Sequence, residues 1–185
     1  MASAISHAVA AFGIGSAFNP ANSPKFVWIA GIACSVIPDL DVIGFRFGIH
    51  YGDFWGHRGF THSLLFAALL AGVGAVAIHW VYAETRRLRL FLYLFVATAS
   101  HGFLDALTDG GLGVAFFSPF DNRRYFFPWR PIRVSPIGAS RFFTGRGVAV
   151  LQSEVLWIWL PTMLFVLLMM AWGRAGASKA ASSAQ

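Results

Sequence analysis

Charge is scarce in this chain: of 185 residues, 12% are charged and 57% are hydrophobic, whereas a soluble domain carries nearer a quarter charged. That balance argues against a soluble domain. Cysteine is limited to Cys34, which excludes an intrachain disulfide framework and a Cys-rich zinc finger. Cys34 lies in an apolar run and reads as a small core residue. No Lys or Arg precedes residue 25, so the basic lead-in of a cleaved secretory signal is missing. Neither an internal repeat nor the alternation of a strand is present. The formal charge of +6 is better explained, in so apolar a background, by membrane topology and anionic headgroups than by nucleic acid. No direct nucleic-acid binding is expected.

What the chain has is apolar length. A membrane span needs about 20 such residues. Residues 64–83 and 155–172 qualify, the latter with a kink expected at Pro161, and 90–107 qualifies if His101 and Asp105 are accepted inside it. Two shorter stretches, 8–18 and 26–37, flank the turn chemistry of Asn19-Pro20-Ala21-Asn22-Ser23-Pro24. The fold expected is all-α, a polytopic membrane helix bundle of about three full transmembrane helices plus a shorter N-terminal helical hairpin. One domain covers 1–173, and 174–185 reads as a disordered polar tail.

Histidines and aspartates interrupt this apolar pattern in three places: Pro38-Asp39-Leu40-Asp41, Gly56-His57-Arg58-Gly59-Phe60-Thr61-His62-Ser63, and His101-Gly102-Phe103-Leu104-Asp105. Ionisable groups at membrane depth are costly and need partners, and imidazoles mixed with carboxylates are ligands of zinc and related ions. Connectivity brings them together. His7 opens the first helix, Asp39 and Asp41 close the second, His57 to His62 opens the third, His101 to Asp105 closes the fourth, and Glu154 opens the fifth. Antiparallel neighbours return all of these to one end of the bundle. Basic residues occur at both ends, so the positive-inside rule selects neither orientation.

His101 and Asp105 are four apart and share a helix face. Either Asp39 or Asp41 is a ligand, the other capping a helix or orienting a histidine. Thr61 is placed to cap the helix that begins near His62. Arg58 is suited to bidentate pairing with a phosphate. The loop 121–147 is rich in Arg, Phe, Trp and Pro; it reads equally as a headgroup-level belt on lipid and as a lid bringing Arg123, Arg124 and Arg130 to a phosphate. His50 and His79 read as peripheral.

The strings Pro-Asp-Leu-Asp, Gly-His-Arg-Gly-Phe-Thr-His-Ser and His-Gly-Phe-Leu-Asp-Ala-Leu-Thr resemble those of the YdjM-type bacterial inner-membrane metal-dependent hydrolases, also described as LexA-binding inner-membrane hydrolases. The likeness runs from His7 to about Glu154. That family is distantly similar to the zinc-dependent phospholipase C and zinc nuclease superfamily, a helical fold that binds metals through His, Asp and Glu. The resemblance implies metal-ligand roles for His7, Asp39 or Asp41, His57 or His62, His101 and Asp105. The superfamily's third metal uses two later histidines and a glutamate; no histidine follows His101 and only Glu154 could correspond, so one or two divalent ions are expected, zinc foremost.

The resulting expectation is a multi-pass inner-membrane hydrolase of a phosphorus ester in a lipid or lipid-linked substrate. A metal-activated water would attack, with Asp39 or Asp41 as base and Arg58 stabilising charge. Its partners would be membrane lipids, the substrate and, by resemblance, a regulatory protein. The alternatives are a non-catalytic protein whose structural metal site docks a partner, and a divalent-metal carrier.

Overall fold

The computed structural model describes residues 1–185 apart from 19–22, 83–85, 138–141, 143–144 and 183–185, with side chains described as far as residue 174. The described residues form helices and no strand: α1 Ala4–Phe18, α2 Lys25–Val36 running into a 3-10 helix Ile37–Phe47, α3 Leu64–Val81, α4 Arg87–Ala106, α5 Gly145–Glu154, a π-helical turn Val155–Trp159, and α6 Leu160–Ser182. Between α4 and α5 the chain is irregular, pinned by two isolated bridges, Thr108 with Ile132 and Val114 with Tyr125.

Among the described residues three helices are long and apolar enough to cross a membrane, Lys25–Phe47, Leu64–Val81 and Gly145–Arg174, with the shorter α1 beside them. The number matches the sequence reading, but the membership differs. The stretch 26–37 is short of a span by its own length, and Pro38 just after it is a residue that can end a helix. Pro38 instead sits in the first turn of the 3-10 helix, where a missing N–H costs nothing, and the helical path continues to Phe47. Residues 90–107 belong to α4, which is more polar than those three but at 20 residues has the length of a span and packs against α1, α2 and α3. A π-helical turn, Val155–Trp159, lies just before Pro161, and Pro161 itself is in the first turn of the helix that follows. The last helix continues to Ser182, through the segment that the polar composition assigns to a disordered tail. The turn at 19–22 lies outside the described residues.

The core lies along α4. Leu90, Leu94, Ala97, His101 and Asp105 are buried along one face of it at helical spacing. Ala11, Ala71, Ala75 and Ala97 keep the helices close, as small residues do where packing rather than hydrophobic expulsion joins helices. Gly31 is needed for this approach, because a Cβ there would run into the Tyr93 ring. The outer faces are apolar too: Val73, Val76, Met163, Leu167 and Leu168 are all exposed, the surface that lipid would cover. The start of α1, the 3-10 helix, the start of α3 and the end of α4 therefore meet at one end.

Candidate metal centre

The Asp39, His62, His101 and Asp105 side chains each place one ligand atom within 4.8 Å of the others, and all four residues are buried. His101 Nε2 lies 3.0 Å from His62 Nε2 and 3.3 Å from Asp39 Oδ1. His62 Nε2 is 3.7 Å from both Asp39 Oδ1 and Asp105 Oδ2. His7 Nε2 approaches Asp105 Oδ1 at 3.5 Å, and its ring stacks on His101 with centroids 3.7 Å apart.

The outer nitrogens of His101 and His62 are already occupied. His101 Nδ1 donates to the Ser35 carbonyl at 2.7 Å, so in the neutral ring Nε2 carries the lone pair. His62 Nδ1 lies 3.2 Å from Asp41 Oδ2. A partner on one ring nitrogen fixes the tautomer that the other presents to a metal. At His62 burial opposes protonation, but the Asp39 and Asp41 carboxylates prevail and push it up to about 9.

The two carboxylates left open by the sequence have different surroundings. Both oxygens of Asp39 are buried without a hydrogen-bond partner. Asp41 is fully engaged: Oδ1 accepts from His57 Nδ1 at 2.7 Å, and Oδ2 accepts from Thr61 Oγ1 at 2.7 Å. Buried carboxylate oxygens without a donor are expensive, and a cation is the partner that would offset them. Asp39 thus has the environment of a ligand and Asp41 that of an orienting group. Asp41, His57 and His62 also form a second group at ligand spacing, but hydrogen bonds already join its members. His57 is lowered from its ordinary value because burial outweighs Asp41. Its Nε2 is buried and unpartnered, as are both nitrogens of His7. Among the described residues this end of the bundle fits a divalent cation by donor type, spacing and unmet bonding. Asp41→Asn should therefore weaken metal binding about 10–100-fold without abolishing it; competition against a chromogenic chelator reads the change, and wild-type affinity in the variant would refute the orienting role.

Local sequence explains how the pieces are held. In the central motif a Cβ at Gly56 would strike the His50 and Tyr51 carbonyls. Arg58 is in the left-handed region at φ 63°, a conformation that costs a non-glycine residue about 1 kcal/mol or more. The turn buries its guanidinium completely. Arg58 Nε donates to Asp105 Oδ2 at 3.0 Å, Nη1 to the Gly110 and Leu112 carbonyls, and Nη2 to Thr108 Oγ1. Thr61 donates to Asp41, and the cap of α3 is Ser63, whose hydroxyl accepts from the Phe66 N–H at 3.1 Å. The helix starts at Leu64, two residues later than the spacing suggested.

The remaining candidates lie apart. Glu154 is wholly buried but ties down the start of α1, accepting from the Ser3 N–H and from the Ser3 and Ser6 hydroxyls. It closes α5 rather than opening a helix. Arg124 is half-buried and donates to the carbonyls of His57, Tyr51 and Asp53. Arg123 is exposed and paired with Asp121 at 3.1 Å. Arg130 is exposed and stacks over Phe126. His50 is exposed beside Asp53, and His79 lies at the far end of α3. Two orienting contacts escaped the sequence reading, the Ser35 carbonyl on His101 and the Ala2 N–H on Asp105 Oδ1 at 2.7 Å; backbone groups leave no residue-type signal.

Comparison with known proteins agrees with the motifs. The family model described as YdjM inner membrane protein matches residues 1–177. The chain belongs to the YdjM family of inner membrane proteins. Inner membrane protein YbcI of Escherichia coli (strain K12) is 40% identical to it over 174 residues, which cover 94% of this chain and 99% of the relative. No solved structure matches. This YdjM chain is thus an inner-membrane helix bundle with a buried His/Asp cluster that could hold a metal ion.

Proposed function

We propose that this YdjM protein is a metal-dependent hydrolase of a phosphorus ester in a lipid or lipid-linked substrate. The observation that carries the reading is Asp39: a buried carboxylate without a donor, flanked by His62, His101 and Asp105. Those four, with His7 alongside, would hold the ion, and zinc suits the donor set. A divalent cation bound there supplies a Lewis acid and, near neutral pH, a hydroxide nucleophile. Asp41 holds the His57 ring through Nδ1, leaving a neutral imidazole with Nε2 free. That is the arrangement of a general base oriented by a carboxylate, and it moves the base from Asp39 or Asp41 to His57. Arg58 is consumed by Asp105 and by loop carbonyls, so its proposed work is to position Asp105. Anion binding passes to Arg130, exposed on the loop.

The burial of the cluster favours one second reading. His7, His101 and Asp105 have no exposure, and Asp39 and His62 are 8% and 5% exposed; a closed site is the mark of a structural metal, which here would brace a surface for a regulatory partner. Metal analysis of the purified protein followed by a phosphodiester, phosphomonoester and phospholipid hydrolysis panel, with and without chelator, separates the two. Chelator-sensitive hydrolysis lost in His57→Gln, with metal retained, supports the enzyme. Bound metal with no hydrolysis across the panel supports the structural site. Wild-type protein without metal overturns both.

A further inference from the structure

We propose that a groove between the far ends of α3 and α4 binds an anionic phospholipid, with an acyl chain against Gly72, Ala75, Val76 and Phe91 and the phosphate on His79 and Arg87. The cavity there measures about 300 Å³ and is walled by apolar side chains, with His79 and Arg87 its polar lining residues. Gly72 of α3 lines it, and a Cβ there would meet nothing within 4 Å, so the space beside it is open. Some 16 residues of helix separate His79 from the metal cluster's end of α3, about 24 Å at 1.5 Å per residue, so the groove is a separate site and does not rest on the hydrolase reading.

The polar end is charged and incomplete. Arg87 Nη2 donates to His79 Nε2 at 2.6 Å, which places the proton of the neutral imidazole on Nδ1. That Nδ1 is buried and has no hydrogen-bond partner among the described residues. An unmatched buried N–H costs about 1–3 kcal/mol, so an acceptor oxygen beside it would be stabilising. Arg87 offers a forked cation for the same anion. Arg86 and Arg89 are exposed on either side, and a juxtamembrane basic cluster attracts anionic lipid by about 1 kcal/mol per residue. Trp80, which also lines the groove, is 85% exposed and suits headgroup depth. The long apolar wall selects a lipid over a free anion.

The test uses the full-length protein purified in neutral detergent, probed by native mass spectrometry and thermal shift with phosphatidylglycerol, phosphatidylcholine and glycerol phosphate. Phosphatidylglycerol should bind at one per chain at least 10-fold more tightly than phosphatidylcholine. Arg87→Gln and Gly72→Leu, which removes the cation and fills the groove respectively, should each weaken it at least 10-fold. Without added lipid both variants should melt within a few degrees of wild type, which shows that the bundle is intact. Equal binding of the two lipids, glycerol phosphate binding as tightly as phosphatidylglycerol, or wild-type lipid affinity in both variants would overturn the assignment.

Discussion

Asp39→Ala should abolish divalent-metal binding at the cluster, lowering affinity by more than 100-fold. The expectation follows from what Asp39 lacks. Among the described residues neither of its oxygens accepts a hydrogen bond, so the substitution removes a ligand and breaks only the longer ionic contacts to His62 and His101, while Asp41 stays beside His62. Ordinarily the loss of a buried carboxylate damages the fold through its abandoned partners. Here the neighbouring groups are His62 and His101 Nε2, 3.7 and 3.3 Å away, and they keep each other. Metal-free Asp39→Ala should melt within a few degrees of metal-free wild type, while wild type with metal melts well above both. A ligand at about 100 times its Kd adds roughly 2.7 kcal/mol of stability, and the variant should forfeit it. Metal content by mass spectrometry and melting with and without chelator give the answer. Stoichiometric metal in the variant would show that the ion sits elsewhere.

The second large effect belongs to Arg58. Arg58→Ala should destabilise the bundle by about 3–5 kcal/mol, the usual consequence of removing one partner of a buried ion pair. Asp105 would keep its charge with Arg58 gone from Oδ2, and the Gly110 and Leu112 carbonyls and the Thr108 hydroxyl would lose their donor. Arg58→Lys should rescue little, because a single ammonium cannot replace a fork spread over four acceptors. Asp105→Asn in the Arg58→Ala background should cost less than the two changes summed, the signature of coupled neighbours. All of this is read by thermal unfolding under chelator, which removes metal effects. A well-folded Arg58→Ala that loses only catalytic rate would instead restore the phosphate-binding role its sequence context suggested.

The site was more legible in the sequence than the membrane path. Helix ends bearing His7, Asp39, His62, His101 and Asp105 had to converge once the helices were read as antiparallel neighbours, and the structure brings these residues together. Hydrophobic length was a poorer guide. It does not tell which face of an apolar helix meets neighbours and which meets lipid: α4 runs back along α3 yet buries Leu90, Leu94, Ala97, His101 and Asp105 against the bundle. Pro38 misled for a related reason: a proline ends a helix or begins one, and only the neighbouring turn decides. The choice between Asp39 and Asp41 was closed to sequence altogether. It depends on which carboxylate Thr61 and His57 reach, contacts made across 16 to 20 residues of irregular chain.

The guanidinium under Asp105 also bears on how many ions the site takes. Asp39, Asp41 and Asp105 bring three negative charges into a nearly dry space, and Arg58 cancels one of them. A single divalent cation cancels the other two and leaves the imidazole–carboxylate cluster neutral, the state a low-dielectric interior favours. A second divalent ion would leave two positive charges unmatched unless an anionic ligand arrived with it. The resting protein should therefore carry one tightly held ion, and occupancy by a second should appear only in the presence of phosphate.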